Sequence, residues 1–232
     1  VAIPPGAEQA LVVADYAAVR DYLDAHSGLP GPRSNLELLA LAGELLDEGH
    51  AARLRAEPGE YLRCCGVIRL GRVLLATGHP DDVTAELTRF AADDSWRVRE
   101  SVAMAGQRVG DADPVLLRRL VTAWVAHPDP LVVRAAVATI CEPRLLRTPE
   151  AAGFALAACR QATDGLLALP PARRREPDAR TLRQALGYCW SVAVAADPAG
   201  LPEFLALDAD SDPDLAWIVR ENRGKARLRK LL

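Results

Sequence analysis

The chain has 232 residues, half of them apolar but only 5% aromatic, with a formal net charge of -3 and a pI near 5.9. Length alone admits one large domain or two small ones, while the composition calls for a core of Leu, Val and Ala, which suits helix packing better than sheet. The charge does not announce a nucleic-acid binder, and the five cysteines, an odd number without Cys-x-x-Cys spacing, read as reduced core residues rather than as a zinc or redox motif.

In chain order, residues 1–9 are rich in Pro, Gly and Ala and predict an irregular lead-in. Asp15 to His26 then carries Tyr16, Val19, Tyr22 and Leu23 at helical spacing, a capping helix. A Ser-Gly-Leu-Pro-Gly-Pro break follows at 27–32, and Ser34 with Glu37 three residues later has the form of a capping box for a helix running through Leu46. The next helix is predicted from about Glu60 to Thr77, stopped by Gly78-His79-Pro80. Asp113-Pro114, Asp129-Pro130, Thr148-Pro149, Asp197-Pro198 and Asp212-Pro213 each set a capping side chain before a proline, whose missing N–H costs nothing in a first helical turn. Helices are therefore predicted near 81–92, 95–109, 114–126, 130–146, 149–169, 178–196, 198–208 and 213–230, with Glu142-Pro143 placed to kink or end its helix.

A repeat runs through these helices. An apolar residue followed by arginine recurs at Leu62-Arg63, Val98-Arg99, Val133-Arg134, Leu182-Arg183 and Val219-Arg220, so the arginines are 36, 35, 49 and 37 residues apart. That period belongs to two-helix repeats. Small residues four places on, Ala103, Ala138, Gly187 and Gly224, predict close approach of a neighbouring helix. The long interval holds an inserted loop near 170–177 that carries Arg173, Arg174 and Arg175. The fold class expected is all-α, a curved α-α superhelical solenoid in a single domain over 1–232, its first 33 residues a lead-in and capping helix.

The alternation of paired helices with Asp, then Val-Arg, at the head of the second helix resembles HEAT repeats, best at 93–104, 128–140 and 212–221. Within that class the chain is similar, over roughly 60–232, to bacterial proteins of the DNA-alkylation-repair superfamily, whose active members are alkylpurine DNA glycosylases. The resemblance implies a concave basic face for duplex DNA and aromatic residues with one carboxylate beside the damaged nucleotide. Active relatives carry Trp-x-x-x-Asp, where the anion stabilises a developing sugar cation. Here the spacing is kept with glutamate, in Trp96-Arg-Val-Arg-Glu100 and Trp217-Ile-Val-Arg-Glu221. Arg134 falls about one repeat after Glu100, as an arginine of the DNA-binding face does in relatives. The added methylene, and the position of Trp96 where the next copy has Leu131, favour a packing role for Trp96 and no catalysis.

Charge is uneven along the chain. Residues 1–60 hold ten acids against four arginines, whereas Arg220, Arg223, Lys225, Arg227, Arg229 and Lys230 face only Glu221 at the other end. The candidate DNA-binding residues are thus Arg134, Arg173, Arg174, Arg175, Arg220, Arg223, Arg227 and Arg229. The signature arginines fit either an inter-repeat ladder with Asp94, Asp129, Asp178 and Asp214 or a row that reads phosphates, the ladder being preferred because structure, unlike a ligand, needs the same pair in every unit. His26, His50, His79 and His127 share no ligand spacing, and no phosphate loop or nucleophile motif is present, so neither a metal nor another cofactor is expected. No bilayer-length apolar run, leader or lipidation motif is visible, which predicts a cytoplasmic protein. The function expected is non-catalytic binding of duplex DNA. Release of N-alkylated purines, through Trp96 and Glu100, and scaffolding of another protein are the alternatives.

Overall fold

A computed structural model describes residues 2–77 and 81–232, so the expected stop at Gly78-His79-Pro80 lies outside the described residues. The described residues form helices and turns and no strand, and the chain divides into two compact units, residues 1–113 and 114–232. The first unit holds α1 (Ala7–Leu11), α2 (Tyr16–Ala25), α3 (Leu36–Leu45), α4 (Glu48–Arg55), α5 (Glu60–Thr77), α6 (Asp81–Ala91) and α7 (Trp96–Ala112). The second holds α8 (Pro114–Val125), α9 (Pro130–Ile140), α10 (Pro149–Ala168), α11 (Pro177–Ala196), α12 (Leu201–Leu205), α13 (Pro213–Arg223) and α14 (Ala226–Arg229), with 3-10 turns at Pro143–Leu145, Arg173–Arg175 and Pro198–Gly200. No described helix is long and apolar enough to cross a membrane.

The helix starts follow from cap chemistry. Asp129 accepts from Leu131 N–H, Thr148 from Ala151, Asp197 from Ala199, and Asp212 from both Asp214 and Leu215, each with proline opening the turn. Four details differ from the sequence expectation. The lead-in contains α1, opened by Gly6 in the left-handed region (φ 75). Asn35, one residue after Ser34, caps α3 by accepting from Leu38 N–H. Asp47 caps a further helix, α4, in a stretch whose mixed Glu-Gly-His-Ala-Ala-Arg sequence carries little helical periodicity. Gly224 parts the helix expected over 213–230 into α13 and α14, whereas the early end of α9 at Ile140, before Pro143, is the break expected at Glu142-Pro143.

Each unit is packed around one signature helix. In the first, α5 touches α2, α3, α4, α6 and α7, burying Leu62, Cys65, Val67, Ile68 and Leu74. Buried aliphatic side chains of this size contribute about 1.5–3 kcal/mol each. The contact of α5 with α7 is close because Gly71 leaves no room for a side chain, a Cβ there meeting Ala105 O at 2.5 Å. In the second unit α11 packs against α9, α10, α13 and α14 around Trp190, which is fully buried and donates to Thr163 Oγ1 at 3.1 Å. Asn222 on α13 is also fully buried. Its amide oxygen accepts from Ser191 N–H (2.8 Å), and its nitrogen donates to Leu186 O and Ile218 O (both 2.8 Å), so one side chain fastens α13 to α11.

The predicted small positions behave unequally. Ala103 is buried and Gly187 receives the Trp217 ring, but Gly224 is an exposed helix terminus rather than a close approach. All five cysteines are buried free thiols.

Candidate functional site

A mostly apolar cavity of about 420 Å³ opens in the first unit, walled by α3, α5 and α7 and by the segment before α3. Trp96, Glu100 and Met104 line it from successive turns of α7, Tyr61 and Cys64 from α5, and Leu36, Glu37 and Leu39 from α3. Pro32, Arg33 and Ser34 complete the rim. The rim is positioned by Asn35: besides capping α3 it donates to His26 O (3.3 Å), its N–H bonds Ser27 O (2.8 Å), and its carbonyl accepts from Tyr61 Oη (2.8 Å). Gly28, at φ 78, makes this loop possible, because a side chain there would strike Arg33 O at 2.7 Å.

Trp96 is 58% exposed, against the expectation that it packs in the core. The indole is held at the mouth: Arg97 lies over the ring with its guanidinium carbon 4.7 Å from the centroid, and is itself anchored by Glu60 at 2.8 Å, whose second oxygen accepts from Ser95 Oγ at 2.6 Å. Burial pushes the Tyr61 phenol well above its usual range, so that wall group is a neutral hydroxyl. Burial likewise pushes the Cys64 thiol up to about 12, which makes it a poor nucleophile. The cavity therefore offers an aromatic platform, apolar walls, the carboxylates of Glu37 and Glu100, and the exposed cation Arg33. It suits a planar group with hydrogen-bond donors on its edge.

The expected DNA-binding cations all lie in the second unit, and several are engaged with acids. Arg173 grips Asp178 through both terminal nitrogens and reaches Glu176 at 3.2 Å. Arg174, 11% exposed, donates to Asp212 (2.6 Å), Asp214 (3.2 Å) and Leu169 O (3.0 Å). Arg175 is exposed. Arg227 donates to Tyr188 Oη at 2.7 Å and lies over that ring, Arg220 is 3.8 Å from Glu221, and Arg223 and Arg229 are exposed. Arg134 is half-buried on α9. The hydrogen bond from Arg173 holds the Asp178 carboxyl below its usual range. Burial opposes the same change at Asp212, but hydrogen bonds from Arg174 and two backbone N–H groups outweigh it.

Two signature arginines reach the aspartate of the following repeat: Arg63 to Asp93 at 3.2 Å in the first unit, and Arg183 to Asp214 at 2.6 Å in the second. Asp93 stands in place of the expected Asp94. Asp178 serves the inserted loop, and Arg99 donates to the carbonyls of Asp93 (2.6 Å) and Asp94 (2.9 Å) at the head of its own helix. Among the described residues no cluster of three or more His, Cys, Asp or Glu side chains has metal-holding geometry. Sequence reasoning singled out Trp96 and Glu100 but not Arg33, Leu36, Tyr61 or Met104; the spacing 96, 100, 104 was the available signal for Met104.

No family model matches the chain, and no curated protein matches it. Fold and site together define an all-helical protein with an aromatic-rimmed pocket in its first unit.

Proposed function

We propose that this chain is a HEAT-like solenoid protein that binds DNA without acting on it, taking an unstacked base against Trp96. The observation that carries the reading is the half-exposed indole on an apolar cavity of about 420 Å³, pinned on one face by Arg97. An open aromatic face stacks any base, and carboxylates beside it accept from amino and imino edges. Pairing of arginine with the next repeat's aspartate at Arg63 and Arg183 supports the HEAT-like part. Of the expected cations in the second unit, Arg175, Arg220, Arg223 and Arg229 are exposed.

The test is titration of a fluorescent duplex containing one unpaired base at several salt concentrations. Affinity falls as salt rises, because each neutralised phosphate releases counterions. Trp96→Ala weakens binding by about tenfold or more, since stacking on an aromatic side chain contributes roughly 1–3 kcal/mol per base. Absence of salt-sensitive binding overturns the DNA reading and leaves a scaffold for another protein.

A second reading is favoured by the way Glu100 shares the cavity with Trp96. There a carboxylate would stabilise positive charge as the bond to an alkylated purine breaks. It predicts release of N-alkylated purine from DNA that disappears in Glu100→Gln with binding retained; the non-catalytic reading predicts no release from the unmutated protein.

A further inference from the structure

Three cysteines converge from three helices in the second unit: Cys141 one residue past the end of α9, Cys159 in the middle of α10, and Cys189 on α11. Cys141 Sγ and Cys159 Sγ are 3.5 Å apart and share a hydrogen bond, whereas Cys189 Sγ donates to Val137 O at 3.6 Å. Cys141 is 5% exposed and Cys159 fully buried. Cys141 is the C-cap of α9, its N–H making the last i→i−4 bond of the helix to Val137 O (3.0 Å), and beyond it the chain turns through Pro143–Leu145.

We propose that Cys141 and Cys159 are a redox modification site, at which a peroxide converts the two thiols into a disulfide that pins the end of α9 to the middle of α10. A disulfide is about 2.0 Å long, so the sulfurs must approach by roughly 1.5 Å, within the reach of side-chain rotation and a small shift at the C-terminal end of α9. The chemistry needs two steps. Hydrogen peroxide first oxidises Cys141, the more exposed of the pair, giving a sulfenic acid and one water. The Cys159 thiol then attacks that sulfur, its proton leaving with the hydroxyl as a second water, so two thiols and one peroxide give one disulfide and two waters. Cys189, which donates to Val137 O and also hydrogen-bonds Cys141, is the competing partner, and the 3.5 Å contact of Cys141 with Cys159 favours the latter.

The hydrogen bond with Cys159, together with burial, outweighs an opposing hydrogen bond with Cys189 and raises the Cys141 thiol well above its ordinary range. At Cys159 the hydrogen bond with Cys141 acts the other way, but burial together with Cys189 and Glu203 leaves that thiol raised as well. Thiolate is therefore scarce and oxidation slow, accelerating about tenfold for each unit rise in pH over the alkaline range. The same burial shelters the finished bond from reductants.

The experiment treats the whole protein with hydrogen peroxide at alkaline pH, then unfolds it, alkylates the remaining thiols with iodoacetamide and maps the peptides by mass spectrometry. The expected result is alkylation at three cysteines instead of five, and a linked peptide pair containing Cys141 and Cys159, two hydrogens lighter than the two free-thiol peptides together, that dithiothreitol separates. In Cys189→Ala the same link forms, and in Cys159→Ala it does not. Five alkylated thiols, a link through Cys189, sulfinic acid without a link, or loss of helical signal before any link forms would each overturn the proposal.

Discussion

The spacing Trp-x-x-x-Glu occurs once in each unit, at 96–100 and 217–221, and the two tryptophans have different surroundings. Trp217 is half-buried, with Arg183 over its ring at 4.9 Å and its edge lying where a Cβ on Gly187 would be, 2.6 Å away. Trp96 is 58% exposed at a cavity mouth. The preceding repeats differ at the matching place. Four residues after Arg183 stands Gly187, an empty seat, whereas four residues after Arg63 stands Val67, a branched side chain fully buried in its own core. What a repeated residue does thus depends on what the repeat before it leaves open.

The largest expected effect comes from filling the seat. Gly187→Val forces Trp217 aside and lowers stability by about 1–3 kcal/mol, the range for overpacking, with a red shift of tryptophan emission as the ring moves to water. An unchanged urea midpoint would break the comparison.

Next in size is the ion-pair cluster that only the second unit carries on its inserted loop. Arg174→Ala takes a partner from Asp212 and Asp214 at once and lowers stability by about 1–2 kcal/mol, while Arg175→Ala, one residue on and exposed, stays within about 0.5 kcal/mol. Equal effects from the two would show that the loop is merely solvated.

The same cluster gives the second unit an acid dependence. Asp178 and Asp212 have folded-state pKa values below the ordinary carboxylate value of about 3.9. Their stabilisation is therefore fully present above about pH 4 and fades as pH falls through the lower, folded-state values. Asp178→Asn removes one of these contributions, so its stability difference from the unmutated protein shrinks progressively below about pH 4 in acid denaturation. A difference constant with pH would remove Arg173 as the cause.

The smallest effect on stability is at Trp96. Trp96→Ala changes stability by no more than about 0.5 kcal/mol, as for other surface sites, yet it abolishes most of the fluorescence that acrylamide quenches. A large loss of stability would mean the indole packs as Trp217 does.

Much of the helix pattern was legible because it is written in local chemistry: Asp129, Thr148, Asp197 and Asp212 each precede a proline and each caps its helix through its own side chain. Helix α4 was not, because its capping signal, Asp47, introduces a segment with few apolar residues, and tertiary packing on α5 supplies what periodicity does not. Ser34 and Asn35 are both good caps, and only the three-dimensional path of the loop, with Asn35 also bonding His26 O, decides between them. The pocket was half legible. Trp96 and Glu100 are visible as a spaced pair, but Leu131 at the equivalent place in the next copy made Trp96 look like core, since aligned repeats do not reveal the neighbour each side chain meets. The arginines of the inserted loop looked free in sequence because Asp212 and Asp214 are about forty residues away from Arg174 along the chain.

The pairing of Arg63 with Asp93 in the first unit and of Arg183 with Asp214 in the second each joins one repeat to the next by a donor on one and an acceptor on the other. A segment copied in tandem would arrive with both halves of the link, offering its aspartate backwards and its arginine forwards, and a segment excised whole would remove both. Where such a pair exists, gain or loss of a complete repeat leaves neither charge without its partner. The arginines of the 170–177 loop instead take acids from the helices that follow it, Arg173 from Asp178 at the head of α11 and Arg174 from Asp212 at the head of α13.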